Sequence, residues 1–136
     1  MTNTNRKTGN AFEKRLCIIL SENGWWAHNL AQNAAGQPFD VLAAKNGESY
    51  PIDCKVCEND LFKLSRVEEN QYYAMTRWEE TGNEYGWFAL ELSNGEVRMI
   101  SFPLLKRLSA LHSVLGLKDI LKHTISLDEW MERGEA

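Results

Sequence analysis

The stretch from Gln37 to Cys57, QPFDVLAAKNGESYPIDCKVC, constrains the fold more than any other part of the sequence. It predicts two β-strands joined at Asn46-Gly47, because Asn-Gly between strand-forming residues is a strong signal for a tight hairpin. A two-residue loop places Lys45 opposite Glu48, and this pairing fixes the register of the whole hairpin. The sequence therefore predicts which side chains of the two strands share a face.

That register brings two acids and an amine to one face of the hairpin. Counting outward from the turn puts Asp40 opposite Asp53, with Cβ atoms about 4.5–5.5 Å apart. Side chains alternate along a strand, so Lys55 joins them. The other face is apolar and suits a core, with Phe39, Val41, Ala43, Tyr50, Ile52, Cys54 and Val56. Opposed acids repel each other, and we expect them to hold a hard divalent cation such as Mg²⁺ beside the lysine.

Length and composition predict one domain over residues 1–136, with residues 1–8 flexible and residues 103–136 forming a C-terminal helical region. Hydrophobic residues make up 43% of the chain and charged residues 25%, as in ordinary globular proteins. No run is apolar enough for a membrane span, and the N-terminus lacks the apolar stretch of a signal peptide. The three cysteines indicate reduced thiols, so the expected location is the cytoplasm.

The net charge of −4 argues against an unselective nucleic-acid binder, which is usually basic. Local basic patches matter more than the sum, however. Three groups of basic residues could form such patches: Arg6, Lys7, Lys14 and Arg15; Lys63, Arg66 and Arg77; and Lys106, Arg107, Lys118 and Lys122.

Helical periodicity and turn signals predict the remaining elements. The expected elements are a helix from Gly9 to Asn23, a strand from Trp25 to Leu30, a helix from Leu64 to Thr81, a hairpin of Tyr85–Leu92 and Val97–Phe102, a helix from Pro103 with Leu111 on its buried side, and a terminal helix capped by Ser126. Glu13 borders the apolar stripe of the first helix, and on position alone it reads as a surface glutamate. Gln71 interrupts the apolar stripe of the second helix.

Pro38-Phe39-Asp40 followed by Asp53-Cys54-Lys55 resembles the signature of the PD-(D/E)XK nuclease superfamily, with Phe39 inserted in its first part. The run Gly9–Glu13 at the start of a helix, a glycine before the first motif and Gln71 after the second are similar to Holliday junction resolvases, of both the archaeal and the bacterial RecU types. The stalk of the RecU type is missing. The resemblance covers about the first ninety residues.

The resemblance implies a restriction-endonuclease-like α/β fold, a mixed sheet flanked by helices, with extra C-terminal helices. It implies a metal-dependent endonuclease that cuts branched DNA to 5′-phosphate ends as a homodimer. The implied catalytic and metal residues are Asp40, Asp53 and Glu13, with the backbone carbonyl of Cys54 binding Mg²⁺ or Mn²⁺ and Lys55 orienting the attacking water. The implied DNA contacts are Arg6, Lys7, Lys14, Arg15 and Gln71, and Gln71 could instead support the metal-binding residues without touching DNA.

Other functions remain open at this point. The enzyme could cut duplex, nicked or flapped DNA instead, or the chain could be a non-catalytic protein of this fold that binds nucleic acid or a partner. Cys54 and Cys57 form a C-x-x-C that could be redox-active or half of a zinc site. Because alternation puts Cys54 on the apolar face, a buried thiol is the favoured interpretation.

Overall fold

The computed structural model describes residues 3–30 and 37–133, and for residues 3–8 the backbone alone. Five helices and eight strands lie in these ranges. In chain order they are α1 (Asn3–Glu22), β1 (Trp26–Asn29), β2 (Val41–Lys45), β3 (Glu48–Val56), β4 (Phe62–Lys63), α2 (Glu69–Glu80), β5 (Trp87–Glu91), β6 (Val97–Ser101), α3 (Phe102–Ser109), β7 (Val114–Leu115), α4 (Leu117–His123), β8 (Ile125–Ser126) and α5 (Leu127–Glu132). Short 3-10 turns, Glu58–Asp60 and Leu64–Arg66, flank β4.

A six-stranded mixed sheet in the order β1-β2-β3-β5-β6-β8 forms the centre of the molecule. Strands β3 and β5 run parallel, and the other neighbouring pairs are antiparallel. Helices flank the sheet, so the predicted fold class is confirmed. Strands β4 and β7 form a separate two-stranded sheet.

The β2–β3 hairpin has the predicted register, since Lys45 pairs with Glu48 across the turn. Asn46 and Gly47 both have positive φ, 55° and 83°, as the tight turn requires. The second predicted hairpin is also present as β5 and β6, with Asn94 and Gly95 in the connection between them.

Two apolar clusters lie in the fold, one for each face of the sheet. The first contains the stripe of α1 (Phe12, Leu16, Leu20), alternate residues of the strands and the buried side chains of α5. The second contains Met75 of α2, the buried side of α3, and Phe88 and Leu90 of β5. Successive side chains of β5 thus enter opposite clusters, because a strand alternates its faces.

Aromatic rings close the first cluster at the C-terminal end of the chain. Trp130 of α5 stacks on Trp25 with ring centroids 4.7 Å apart, and it meets Tyr50 and Trp87 edge-on. Ser126 caps α5 by accepting a hydrogen bond from the Glu129 amide, as predicted. The region 103–136 contains two short strands besides its helices, and β8 pairs with β6.

Several predicted boundaries were wrong. Helix α1 begins at Asn3 rather than Gly9, so it includes residues of the segment predicted to be flexible. Helix α2 begins at Glu69, because Leu64 lies in a 3-10 turn and Glu68 caps the helix. Leu111 follows α3 and is exposed, since α3 ends at Ser109.

Phe39 also departs from its predicted position. It packs against the second cluster, edge-on to Trp78, and not on the face of Val41. The physical reason is a bend in the chain at Asp40, before β2 begins, which breaks the strand alternation that the prediction assumed.

Candidate active site

Asp40 and Asp53 lie at the open end of the β2–β3 hairpin. Val41 pairs with Ile52, and the amide of Asp40 donates a hydrogen bond to the carbonyl of Ile52, 3.1 Å away. Ile52 is thus opposed by both Asp40 and Val41, so the regular pairing ends at Val41 and does not reach the predicted pair of Asp40 with Asp53. Asp40 still lies close enough for its charge to raise the pKa of Asp53. The hairpin turn, six residues along the chain from each acid, therefore sets the pairing of the two strands that lead to both acids.

Both oxygens of the Asp40 carboxylate accept hydrogen bonds from the protein. Oδ1 accepts from Nε2 of Gln37 at 2.6 Å, and Oδ2 accepts from the backbone amide of Cys54 at 2.8 Å. Asp40 is buried. Because two donors meet its two oxygens, the carboxylate has one fixed orientation.

Asp53 is completely buried and belongs to a small polar network on the second face of the sheet. Its Oδ1 accepts from Nε2 of Gln71 at 3.1 Å, and Nζ of Lys55 lies 3.0 Å from its Oδ2 as an ion pair. Both carboxylate oxygens of Asp53 are therefore engaged inside the protein, Oδ1 by Gln71 and Oδ2 by Lys55.

Gln71 connects the acid to the amine. Its Oε1 accepts from Nζ of Lys55 and from the backbone amide of Glu68, both at 3.1 Å. The second bond is half of the capping box of α2. The side chain predicted to contact phosphate therefore has both amide atoms engaged inside the protein.

Glu13 is buried, with 6% of its surface exposed, so its interpretation as a surface glutamate is wrong. The pKa of Glu13 is raised to about 7, first by burial and then by the charge of Asp40, while the charge of Lys55 opposes the rise. The charge state of Glu13, on α1, is therefore coupled to the charges of Asp40 and Lys55 on the hairpin. Helix α1 packs its apolar stripe against the sheet, and this packing brings Glu13 toward the hairpin.

The pKa of Asp53 is also raised well above its usual value, first by burial and then by the charge of Asp40, with Lys55 opposing. Both acids are thus held where their ionised forms are disfavoured. The sequence analysis expected the two acids and the lysine on the face opposite the apolar one. The structure buries this face as well, where Gln71 of α2 contacts Asp53 and Lys55.

The predicted DNA-contacting residues lie at different places. Lys14 is exposed on α1. Arg15 forms an ion pair with Glu91, donates to the carbonyl of Gly95 and lies over the ring of Phe12. The side chains of Arg6 and Lys7 lie outside the described residues.

Gln37 belongs to the site, yet the sequence analysis assigned it no role. A lone glutamine before Pro38 carries no strong signal, although its place three residues before Asp40 does put an amide within reach of that acid. All three cysteines are free thiols. Cys57 is buried, and burial is the main cause that raises its pKa to about 11.

The donor set suits a hard divalent cation. Carboxylate oxygens are the ligands that Mg²⁺ prefers, and the carboxylates of Asp40 and Asp53 lie close enough for the charge of Asp40 to raise the pKa of Asp53. Within residues 3–30 and 37–133, no three His, Cys, Asp or Glu side chains already form a metal-binding cluster. The carboxylates of this site are instead held by Gln37, Cys54, Gln71 and Lys55.

Comparison with known proteins agrees with this fold. The family model of the archaeal Holliday junction resolvase, Hjc, matches residues 4–136. The chain therefore belongs to this family of nucleases, which resolve Holliday junctions. A search of curated proteins gives no match.

A solved structure of Hjc from Archaeoglobus fulgidus, described as a Holliday junction resolvase from an archaeal hyperthermophile, has the same fold. Its TM-score is 0.69 at 18% sequence identity, and the match covers 91% of this chain and 98% of that one. The resemblance seen in the first ninety residues thus extends over nearly the whole chain. No helix in the part of the chain that the structure describes is long and apolar enough to cross a membrane.

Proposed function

We propose that this resolvase is a divalent-cation-dependent endonuclease whose active site consists of Asp40, Asp53, Glu13 and Lys55. The supporting observation is the burial of two neighbouring aspartates beside a lysine, where the charge of Asp40 raises the pKa of Asp53. Burying like charges is costly, and a cation offsets that cost. Asp40 and Asp53 would hold Mg²⁺ or Mn²⁺, joined by Glu13, directly or through water, and by the backbone carbonyl of Cys54.

The bound cation would polarise the scissile phosphate and lower the pKa of a bound water. Lys55 has a separate task. Its Nζ is held between Asp53 and Gln71, so a positive charge has a fixed position beside the acids. From there it orients the attacking water and offsets negative charge that develops on the phosphate. Water adds to phosphorus and the bond to the 3′ oxygen breaks, which leaves a 5′-phosphate end.

The proposed assembly is a homodimer that acts on branched DNA in the cytoplasm. A Holliday junction needs two symmetric cuts, and a two-fold dimer supplies two equal sites. Arg6, Lys7, Lys14 and Arg15 on α1 would contact phosphates, on the same helix that carries Glu13. For Gln71 the network with Asp53 and Lys55 supports a role in holding the site, and a phosphate contact is a second role to test.

The test is cleavage of a labelled four-way junction by purified protein, with linear duplex of equal length beside it. We expect cutting of the junction with Mg²⁺ or Mn²⁺, none with a chelator, and 5′-phosphate ends. Light scattering on the same sample should give twice the chain mass. Full activity in the chelator would overturn the cation dependence, and a monomer that cuts both strands symmetrically would overturn the dimer.

A further inference from the structure

Gln37 is buried beside Asp40, and the fold holds it there. Its side chain reaches Asp40 Oδ1 through Nε2 at 2.6 Å, with 6% of the residue exposed. Its backbone carbonyl accepts a hydrogen bond from Nδ2 of Asn70, at the start of α2, at 3.2 Å. The residue is therefore tied both to the acid and to the helix that supplies Gln71.

The other end of the same amide has no partner. Oε1 of Gln37 is buried and accepts no hydrogen bond among the described residues. A buried acceptor without a donor is energetically unfavourable. The neighbouring acceptor Oδ2 of Asp53 differs, because it forms an ion pair with Nζ of Lys55. Amide oxygens are among the ligands that a hard cation and its water shell accept, so Oε1 of Gln37 fits such an ion.

The Nε2 atom of the Gln37 amide has a different effect, because it fixes the orientation of Asp40. Asp40 is the acid for which both oxygens are hydrogen-bonded, one to a flexible side chain and one to the rigid backbone of β3. Outer hydrogen bonds of this kind fix the orientation of metal-binding carboxylates, and their loss typically weakens metal binding by about 10–100-fold. The Cys54 amide cannot be removed by mutation, but the Gln37 amide can.

We propose that Gln37 is a positioning residue of the cation site. Its Nε2 holds Asp40 in the orientation that binds the cation, and its Oε1 gives a neutral oxygen to the cation or to the cation's water shell. The proposal rests on the proposed function, because it requires Asp40 to bind a divalent cation. It predicts that the amide group controls cation affinity without determining the fold.

The test measures Mn²⁺ binding from the EPR signal of the free ion, with no DNA present. We compare the wild-type protein, Gln37→Met, which keeps the length of the side chain but removes the amide, and a matched control, Thr124→Val. Thr124 is equally buried and loses hydrogen bonds to Arg98 and Ile120 at the far side of the sheet. We expect Gln37→Met to bind Mn²⁺ about 10–100-fold more weakly and the control to bind like the wild type.

Mn²⁺ binding by Gln37→Met equal to the wild type would overturn the proposal for Gln37 alone. Absence of binding by the wild type would instead overturn the proposed function. If Gln37→Met does not fold, the proposal is tested by NMR on the wild-type protein, through the side-chain amide signals of Gln37. They should shift as Mg²⁺ saturates the protein, while those of exposed Asn83 stay in place. Unmoved Gln37 signals would contradict the proposal.

Discussion

The two hairpins of the central sheet lie side by side and differ in what they bury. The hairpin of β5 and β6 places apolar side chains in both clusters, Phe88 and Ile100 on one face and Ala89 and Met99 on the other. The hairpin of β2 and β3 is apolar on the first face only. On the second face its register sets Asp53 beside Phe88 and Lys55 beside Leu90.

The difference shows how a destabilising site is kept in a stable sheet. Raised pKa values at Glu13 and Asp53 mean that the fold disfavours the ionised acids. The neighbouring hairpin and the rings around Trp130 bury a large apolar surface next to them. We infer that the aromatic end, the rings around Trp130, supplies stability and that the acidic end, the site of Glu13 and Asp53, supplies the chemistry. Mutations can separate these two contributions.

The largest expected effect is the loss of cleavage in Asp53→Asn. Asn keeps the shape and the Oδ1 acceptor for Gln71, but removes the charge that would hold a cation. The free energy of unfolding without metal should stay equal or rise, because the repulsion with Asp40 and the burial of a charge both disappear. Junction cleavage and denaturant unfolding measure the two effects. Asp128→Asn, an exposed acid on α5, is the control, and full activity in Asp53→Asn would refute the site.

The opposite result is expected at the aromatic end. Trp130→Ala should lower the free energy of unfolding by about 3–5 kcal/mol, the usual cost of removing a large buried ring. Trp130 is 1% exposed and contacts three other rings. Trp26→Ala removes a ring that is 59% exposed and should change stability by less than about 0.5 kcal/mol. Equal losses in the two variants, measured in guanidinium, would contradict the division between the ends.

Lys55→Ala should reduce the cleavage rate at least about a hundredfold, the scale of one lost transition-state contact, and leave junction binding intact. The reason is that Nζ lies between Asp53 and Gln71, where we expect it to act in the cleavage step rather than in DNA binding. Single-turnover cleavage and binding titrations separate the two. Lys63→Ala, an exposed lysine on β4, is the matched control. Equal loss of binding and rate in Lys55→Ala would make Lys55 a phosphate anchor instead.

The smallest effect is expected from joint replacement of Arg6 and Lys7 by alanine. Phosphate contacts position DNA without specifying its shape, so binding to junction and duplex should weaken about equally. The magnitude of the slope of log affinity against log salt should fall by about 1–2, because fewer counterions are released on binding when a phosphate contact is lost. Titrations at several salt concentrations measure the slope. A loss confined to junctions would show that these residues recognise branching, and salt-independent binding of the wild type would refute the electrostatic model.

The hairpin and its acids could be predicted from the sequence because local rules decide them. A two-residue turn fixes the register from Lys45 to Val41, and alternation along β3 then puts Asp53 and Lys55 on one face. The same locality explains the capping box at Ser126. Where the local rule failed, at Phe39, the chain bends before the strand begins.

Contacts between distant parts of the chain decided the rest. Arg15 contacts Glu91, which lies 76 residues away in the sequence, and Gln71 contacts Asp53, which lies 18 residues away. The periodicity of the sequence predicts neither contact. The burial of Glu13 depends on which face of α1 packs on the sheet, and the burial of Asp53 depends on the packing that brings Gln71 of α2 to it. The sequence by itself thus determined which chemical groups the hairpin displays. Tertiary packing decided that these groups are buried and held by Gln71, because desolvation arises only once distant elements close over them.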